Sequence, residues 1–236
     1  MEHTVTAYDV ELEALTSELS RLGGLAEAQL RDCVGAIGGR DEALAEAVIA
    51  RDGMLDGLDM EIERSAIRLI ALRQPVADDL RRTIAAMRIS TNLERCGDLA
   101  KNIAKRTLVI TESTSVMPPT SSIERMGELV TERLRDVLDA VASRNVQAAL
   151  DVWHGDKEID EQYDAIFREL MTYMIADGRM ITACAHLLFV AKNLERIGDH
   201  ATNIAEIFHY EVTGEPMPDE RPKSDSLVGD RSQTHR

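Results

Sequence analysis

The sequence predicts an all-α protein built from two tandem three-helix bundles related by an internal duplication. Three observations carry this reading. Aromatic residues make up only 3% of the chain and hydrophobic residues 44%, with Ala, Leu, Ile, Arg and Glu abundant. Such a composition favours helices packed by aliphatic side chains over strands, which would be richer in Val, Thr, Tyr and Phe. Helical periodicity runs through six segments separated by few breakers. And one phrase occurs twice, as "NLERCGDLAKNIA" from Asn92 and "NLERIGDHATNIAE" from Asn193, 101 residues apart.

The elements follow in order from the breakers. Helices are expected over 7–37, 41–72 and 76–110, divided by "GGRDEA" around Gly39 and by "RQPVADDL" around Pro75. The Ser/Thr/Pro stretch "TESTSVMPPTSS" (Thr111–Ser122) has linker composition. Helices then resume over 122–143, 146–176 and 179–211, the last two separated by "IADGRM". This divides the chain into a first bundle at 1–112, a linker at 113–121, a second bundle at 122–212 and a tail at 213–236. The tail is polar, contains prolines and has few large apolar residues, so disorder is expected there.

The formal net charge is −15. An acidic surface repels the phosphate backbone, which argues against nucleic acid as a partner and for cations or a basic protein surface. Cys33, Cys96 and Cys184 contain no CxxC pair and read as reduced thiols. Cys96 stands where the second phrase has Ile197, so it is expected to be a small core residue. No signal peptide and no run of about 20 apolar residues is visible. The expectation is a cytoplasmic protein that meets a membrane only through its partners.

On a helical wheel at about 100° per residue, Glu195, Asp199, Asn203 and Glu206 line one stripe, and Glu94, Asp98 and Asn102 line its copy. Leu187, Val190, Leu194, Ile197, Ala201, Ile204 and Phe208 form the opposite apolar face, as do Ile89, Leu93, Cys96, Ala100 and Ile103. On this wheel the acidic stripe looks away from the core. The duplication has preserved a polar stripe as well as a core, and a core alone does not require that.

Carboxylates one turn apart repel. Arg95 and Arg196 could offset this, or a bound cation could; two carboxylates and an amide oxygen form an all-oxygen set suited to hard cations. Further acidic rows lie on the second helix (Asp52, Asp56, Asp59, Glu63) and on the fifth (Asp156, Asp160, Asp164). A charged stripe is also the ordinary solvated face of an amphipathic helix. Gly97 and Gly198 recur mid-helix, where glycine costs about 1 kcal/mol relative to Ala, and so suggest close helix approach.

His186 reads as a packed core histidine, and His200 lies off the stripe. Glu206 and His209 have the E-x-x-H spacing of di-metal carboxylate bundles, but such bundles use two of these motifs and the first copy, ending "NIAKRT", lacks one. A di-metal carboxylate enzyme is the alternative reading. No phosphate loop, GxGxxG, HExxH or GxSxG is present, and a non-enzymatic role is expected.

"QPVADDLR" (Gln74–Arg81) followed by the two phrases resembles the PhoU family of bacterial phosphate-signalling regulators, over roughly residues 8–212. The resemblance implies pseudo-twofold symmetry between the bundles. It implies metal ions, often multinuclear, with iron, manganese, magnesium or zinc as candidates. By position the ligands would be Glu94 and Asp98 in one site and Glu195 and Asp199 in the other. Asp79, Asn102, Asn203, Asp56 and Asp160 would be further contributors, and Arg81 is carried onto the same surface. The implied role is negative regulation of phosphate uptake and of the phosphate-starvation (Pho) response. The protein would act as an adaptor between a PstB-like transporter ATPase and a PhoR-like histidine kinase, as a homodimer. The second copy has no "QPxxxDLR"; "ADGRMITACAH" stands there, so the two sites need not be equivalent.

Overall fold

The computed structural model describes residues 2–113 and 116–217. All the regular structure among them is helical: α1 (Glu2–Gly39), α2 (Glu42–Arg73), α3 (Asp78–Ser113), α4 (Ser121–Ser143), α5 (Val146–His154), α6 (Asp156–Ala176) and α7 (Ile181–Thr213), with a 3₁₀ turn at Gly178–Met180 before α7. The expected tail lies almost wholly outside the described residues.

The duplication extends to turns that the phrases do not include. Arg40 and Arg144 both adopt left-handed backbone, with φ of 52° and 55°. Each is followed by a capping side chain. Asp41 accepts from the Leu44 amide at 2.9 Å, and Asn145 accepts from the Ala148 amide at 3.1 Å. These turns are 104 residues apart, whereas the phrases are 101 apart. The three-residue difference falls at the turn carrying "QPVA", where Gln74 and Ala77 take left-handed φ of 50° and 49°. The Asp177–Met180 turn, also four residues long, stands in its place in the second bundle, and the flanking helix ends take up the difference.

The single helix expected over 146–176 is broken at Gly155. The Gly155 amide is shared between the carbonyls of Asp151 and Val152, both at 3.1 Å, and the Glu158 amide bonds the Gly155 carbonyl three residues back. The tightened turn separates α5 from α6. A Cβ at Gly155 would lie 2.9 Å from Arg133 Nε, so the guanidinium occupies the space that glycine leaves.

The bundles join through their third helices. Among the described residues α3 packs on α7 and α1 on α4, while α2 touches only α1 and α3, and α5 and α6 touch only elements of the second bundle. Along the α3–α7 interface Arg81 meets Glu211, Asn92 meets His200 and Arg106 meets His186. As α3 advances, α7 retreats by the same count, so the helices are antiparallel. In this register Arg95–Cys96 lies opposite Arg196–Ile197, its own repeat equivalent. The pseudo-twofold axis therefore passes through the middle of the repeated phrase.

The apolar faces read from the wheel are the buried ones. Leu93, Cys96, Ala100, Ile103, Leu187, Leu194, Ile197, Ala201 and Phe208 are all fully buried. At about 1.5–3 kcal/mol for each large aliphatic or aromatic side chain removed from water, these rows supply much of the driving force that buries α3 and α7 in the shared core.

Candidate functional site

The repeated glycines place the site. A Cβ on Gly97 would lie 2.4 Å from Leu55 Cδ2, and one on Gly198 would lie 2.7 Å from Ile159 Cδ1. Each glycine thus admits a branched side chain from the neighbouring helix, α2 or α6, and brings that helix close to the phrase. The carboxylate stripes are drawn into the same seams. They do not point fully to water, as the wheel suggested: the side chains of Glu94 and Glu195 are only 18% and 13% exposed.

In the first seam, burial and the charges of Asp98, Asp56 and Asp59 hold the Glu94 carboxyl above its ordinary range, against the opposing pull of Arg95. Asp59 accepts from the Ser90 hydroxyl. Below them a lysine enters the acidic row. Lys101 Nζ bonds Asp52, which is buried, and Asp98 at 2.7 Å. Those two bonds raise its pKa despite partial burial.

In the second seam, burial raises the Glu195 carboxyl, with Asp199 and Asp160 adding to the effect and Lys192 opposing it. Lys192 Nζ bonds Glu195 Oε1 at 2.7 Å, and Glu195 Oε2 is buried with no hydrogen-bond partner. The counterpart of Asp52 is Asp156. Its carboxylate is also buried, but it accepts from the hydroxyl of Thr202, the repeat equivalent of Lys101, at 2.8 Å. One duplicated buried aspartate is thus satisfied by an ammonium in one bundle and by a hydroxyl in the other. Lys101 and Thr202 were visible as the K/T difference between the aligned phrases. Neither is a metal-ligand type, so that difference carries no signal in the sequence alone.

The carboxylates expected to cooperate are therefore grouped by seam: Glu94 and Asp98 with Asp56, and Glu195 and Asp199 with Asp160. Asn102 is exposed and Asn203 half-buried, each one turn beyond its aspartate. Asp79 does not join them. It lies in the first turn of α3, fifteen residues before Glu94, or about 22 Å along the axis, so it cannot share an ion with Glu94 within one chain. Arg81 is likewise remote from the carboxylates. It bonds Asp78 at 2.6 Å and reaches the Glu211 carbonyl at the C-terminal end of α7.

His186 is half-buried rather than a core residue, and its Nδ1 lies 3.2 Å from Arg106 Nη1. Glu206 accepts from Trp153 Nε1 at 3.0 Å, and His209 Nδ1 lies 3.1 Å from the Glu215 carbonyl. Both members of the E-x-x-H pair are thereby engaged elsewhere.

The donor chemistry and the orphaned Glu195 oxygen fit a hard cation. Among the described residues, no group of three or more His, Cys, Asp or Glu side chains stands close enough to hold one as placed. Binding would require the carboxylates to draw together and, in the first seam, Asp98 to leave Lys101.

The whole-chain comparison agrees with the doubled seam. The model of the PhoU domain matches twice, at residues 19–107 and 123–208. The chain belongs to the PhoU family. It is 61% identical over 226 residues to a phosphate-specific transport system accessory protein PhoU homolog of Caulobacter vibrioides, covering 96% of this chain and 98% of that one. The Escherichia coli accessory protein PhoU is 36% identical over 214 residues, 91% of this chain and 88% of its own length. The crystal structure of PhoU from Pseudomonas aeruginosa superposes with a TM-score of 0.84 at 37% identity, covering 88% of this chain and all of that one. The PhoU fold, two three-helix bundles about an internal pseudo-twofold axis, is the fold of this chain.

Proposed function

We propose that this PhoU-family chain is a cytoplasmic, metal-binding negative regulator of phosphate uptake and of the phosphate-starvation response. It acts as a homodimeric adaptor between a PstB-like transporter ATPase and a PhoR-like histidine kinase. The observation that carries the proposal is the pair of acidic seams. Each bundle gathers carboxylates from two helices beside a glycine contact, with Glu94 and Glu195 both kept partly from water. The relatives are named as accessory proteins of a phosphate-specific transport system, which supports the physiological assignment. No helix among the described residues is long and apolar enough to cross a membrane, in keeping with membrane contact through partners.

Glu94, Asp98 and Asp56 would hold a cation in one seam, and Glu195, Asp199 and Asp160 in the other. A bound cation supplies positive charge and no turnover. Glu195 offers its unpartnered Oε2, and Lys192 keeps Oε1 oriented. In the first seam Asp98 has to leave Lys101. Neutralising either seam lowers the repulsion within a chain of net charge −15 and changes the field that a docking partner meets.

The test is elemental analysis of the natively purified protein and of Glu195→Ala/Asp199→Ala, with an alkaline phosphatase reporter in phosphate-replete cells. The expected result is loss of the second-seam metal and derepression of the reporter. Full metal content in the double variant would overturn the ligand assignment.

A further inference from the structure

The two ends of the α3–α7 pair are pseudo-equivalent but differently finished. At one end Arg106 of α3 lies 4.6 Å over the ring of Phe189 of α7 and reaches His186. At the other end the corresponding residues are Ile207, Arg88 and Ala85. The guanidinium lies on α3 and the large apolar group on α7 at both ends, so the two have exchanged pseudo-equivalent positions, and the imidazole has become a methyl. An open groove of about 220 Å³ lies there, floored by Ala85 and Ile207 and walled by Ile84, Tyr210, Arg81 and Arg88. Ile84 is 43% and Tyr210 46% exposed, so the walls are apolar surface open to solvent. Among the described residues Arg88 is exposed and has no carboxylate partner, although the chain holds 42 acidic residues.

We infer that this groove docks a segment of a partner protein carrying an aromatic or large aliphatic side chain beside carboxylates. The pseudo-equivalent end shows what completes such a surface: an aromatic ring lying against a guanidinium. At the groove the guanidinium and the apolar walls are present, but among the described residues no ring lies against Arg88. A neighbouring carboxylate on the partner would pair with Arg88, which is exposed beside the apolar walls. The inference rests on the adaptor reading, because an adaptor needs a docking surface, and it needs no metal.

The probe is a fluorescent 16-residue helical peptide with Phe and Leu on one face and Glu flanking them, titrated into the full chain. A control peptide carries Lys for Glu. The Glu peptide is expected to bind at least about tenfold tighter than the Lys peptide. Arg88→Glu, an exposed site, should reverse that preference, and Ala85→Phe, which fills the groove, should abolish binding. Equal affinity for both peptides, or an unchanged preference in Arg88→Glu, would overturn the inference.

Photoreactive benzoyl-phenylalanine in place of Tyr210 should crosslink to the peptide. Crosslinking instead to residues 218–236 of the same chain, or to a second copy that the peptide cannot displace, would assign the groove to that occupant and likewise overturn it. Failure here with an intact reporter response removes only this surface. Loss of metal dependence with peptide binding intact removes only the metal reading.

Discussion

Lys101 offers the sharpest test of how the acidic seams are balanced. Its side chain is 21% exposed and that of Asp52, which it meets, 10% exposed, so the pair is largely shielded. Lys101→Met keeps most of the apolar stem and removes only the charge. Stranding one member of a fully buried pair costs about 3–5 kcal/mol. The residual exposure of both groups, and the second acceptor at Asp98, reduce the expected loss to about 2–3 kcal/mol.

Lys101→Thr transplants the second bundle's solution, in which the Thr202 hydroxyl donates to Asp156 at 2.8 Å. A hydrogen bond to a charged group contributes about 1.5–3 kcal/mol, so this variant should lose roughly half as much as Lys101→Met. Urea denaturation followed by circular dichroism measures both. Mn²⁺ or Mg²⁺ should then raise the stability of Lys101→Met more than that of the wild type, because the vacated carboxylates favour a cation that binds only the folded state. Equal losses for Met and Thr, a loss below about 0.5 kcal/mol for Met, or no extra cation response would refute the reasoning.

Three further outcomes are expected. Gly97→Ala and Gly198→Ala each gain about 1 kcal/mol of helix propensity but force Leu55 or Ile159 aside, at about 1–3 kcal/mol. Both should be neutral to destabilising in denaturant titrations, with Gly97→Ala the worse because its contact is tighter; stabilisation by both would mean that the helices do not approach as described. Glu195 has its carboxyl raised chiefly by burial, so the folded state holds the proton to higher pH than the unfolded state does. The resulting penalty is absent below the ordinary Glu value, grows as pH rises and is complete above the folded value. Glu195→Gln should therefore be more stable than wild type at neutral pH in the absence of metal, and this advantage should vanish in acid; an advantage that grew in acid would reverse the sign. His186 is held below its ordinary range by burial and by Arg106, so it contributes stability that is lost as pH falls through the ordinary His value, and His186→Gln should flatten stability measured between about pH 7 and 5.

Much of the molecule was legible along the chain. The helical segments, the turn at Gln74–Ala77 and the buried rows through Leu93 and Leu194 follow from periodicity and breakers, because each depends on neighbours within a few residues. Gly97 and Gly198 announced a close approach, since a glycine in the middle of a helix carries a local cost that only a tertiary contact offsets. The break at Gly155 is not legible in the periodicity, because a single glycine does not end a helix and the tightened turn and the Arg133 guanidinium beside it belong to the fold.

The sequence by itself determined that two acidic stripes exist and that each shares a helix with an aliphatic face. Only the tertiary structure decided where the stripes lead. The antiparallel register of α3 and α7 puts the pseudo-twofold axis through the two phrases. The glycine contacts turn Glu94 and Glu195 into the seams with α2 and α6, and fifteen residues of helical rise remove Asp79 from them. A helical wheel measures angle about one axis. It carries no information on which neighbouring helix covers that angle, and it cannot show that a buried aspartate meets an ammonium in one copy and a hydroxyl in the other.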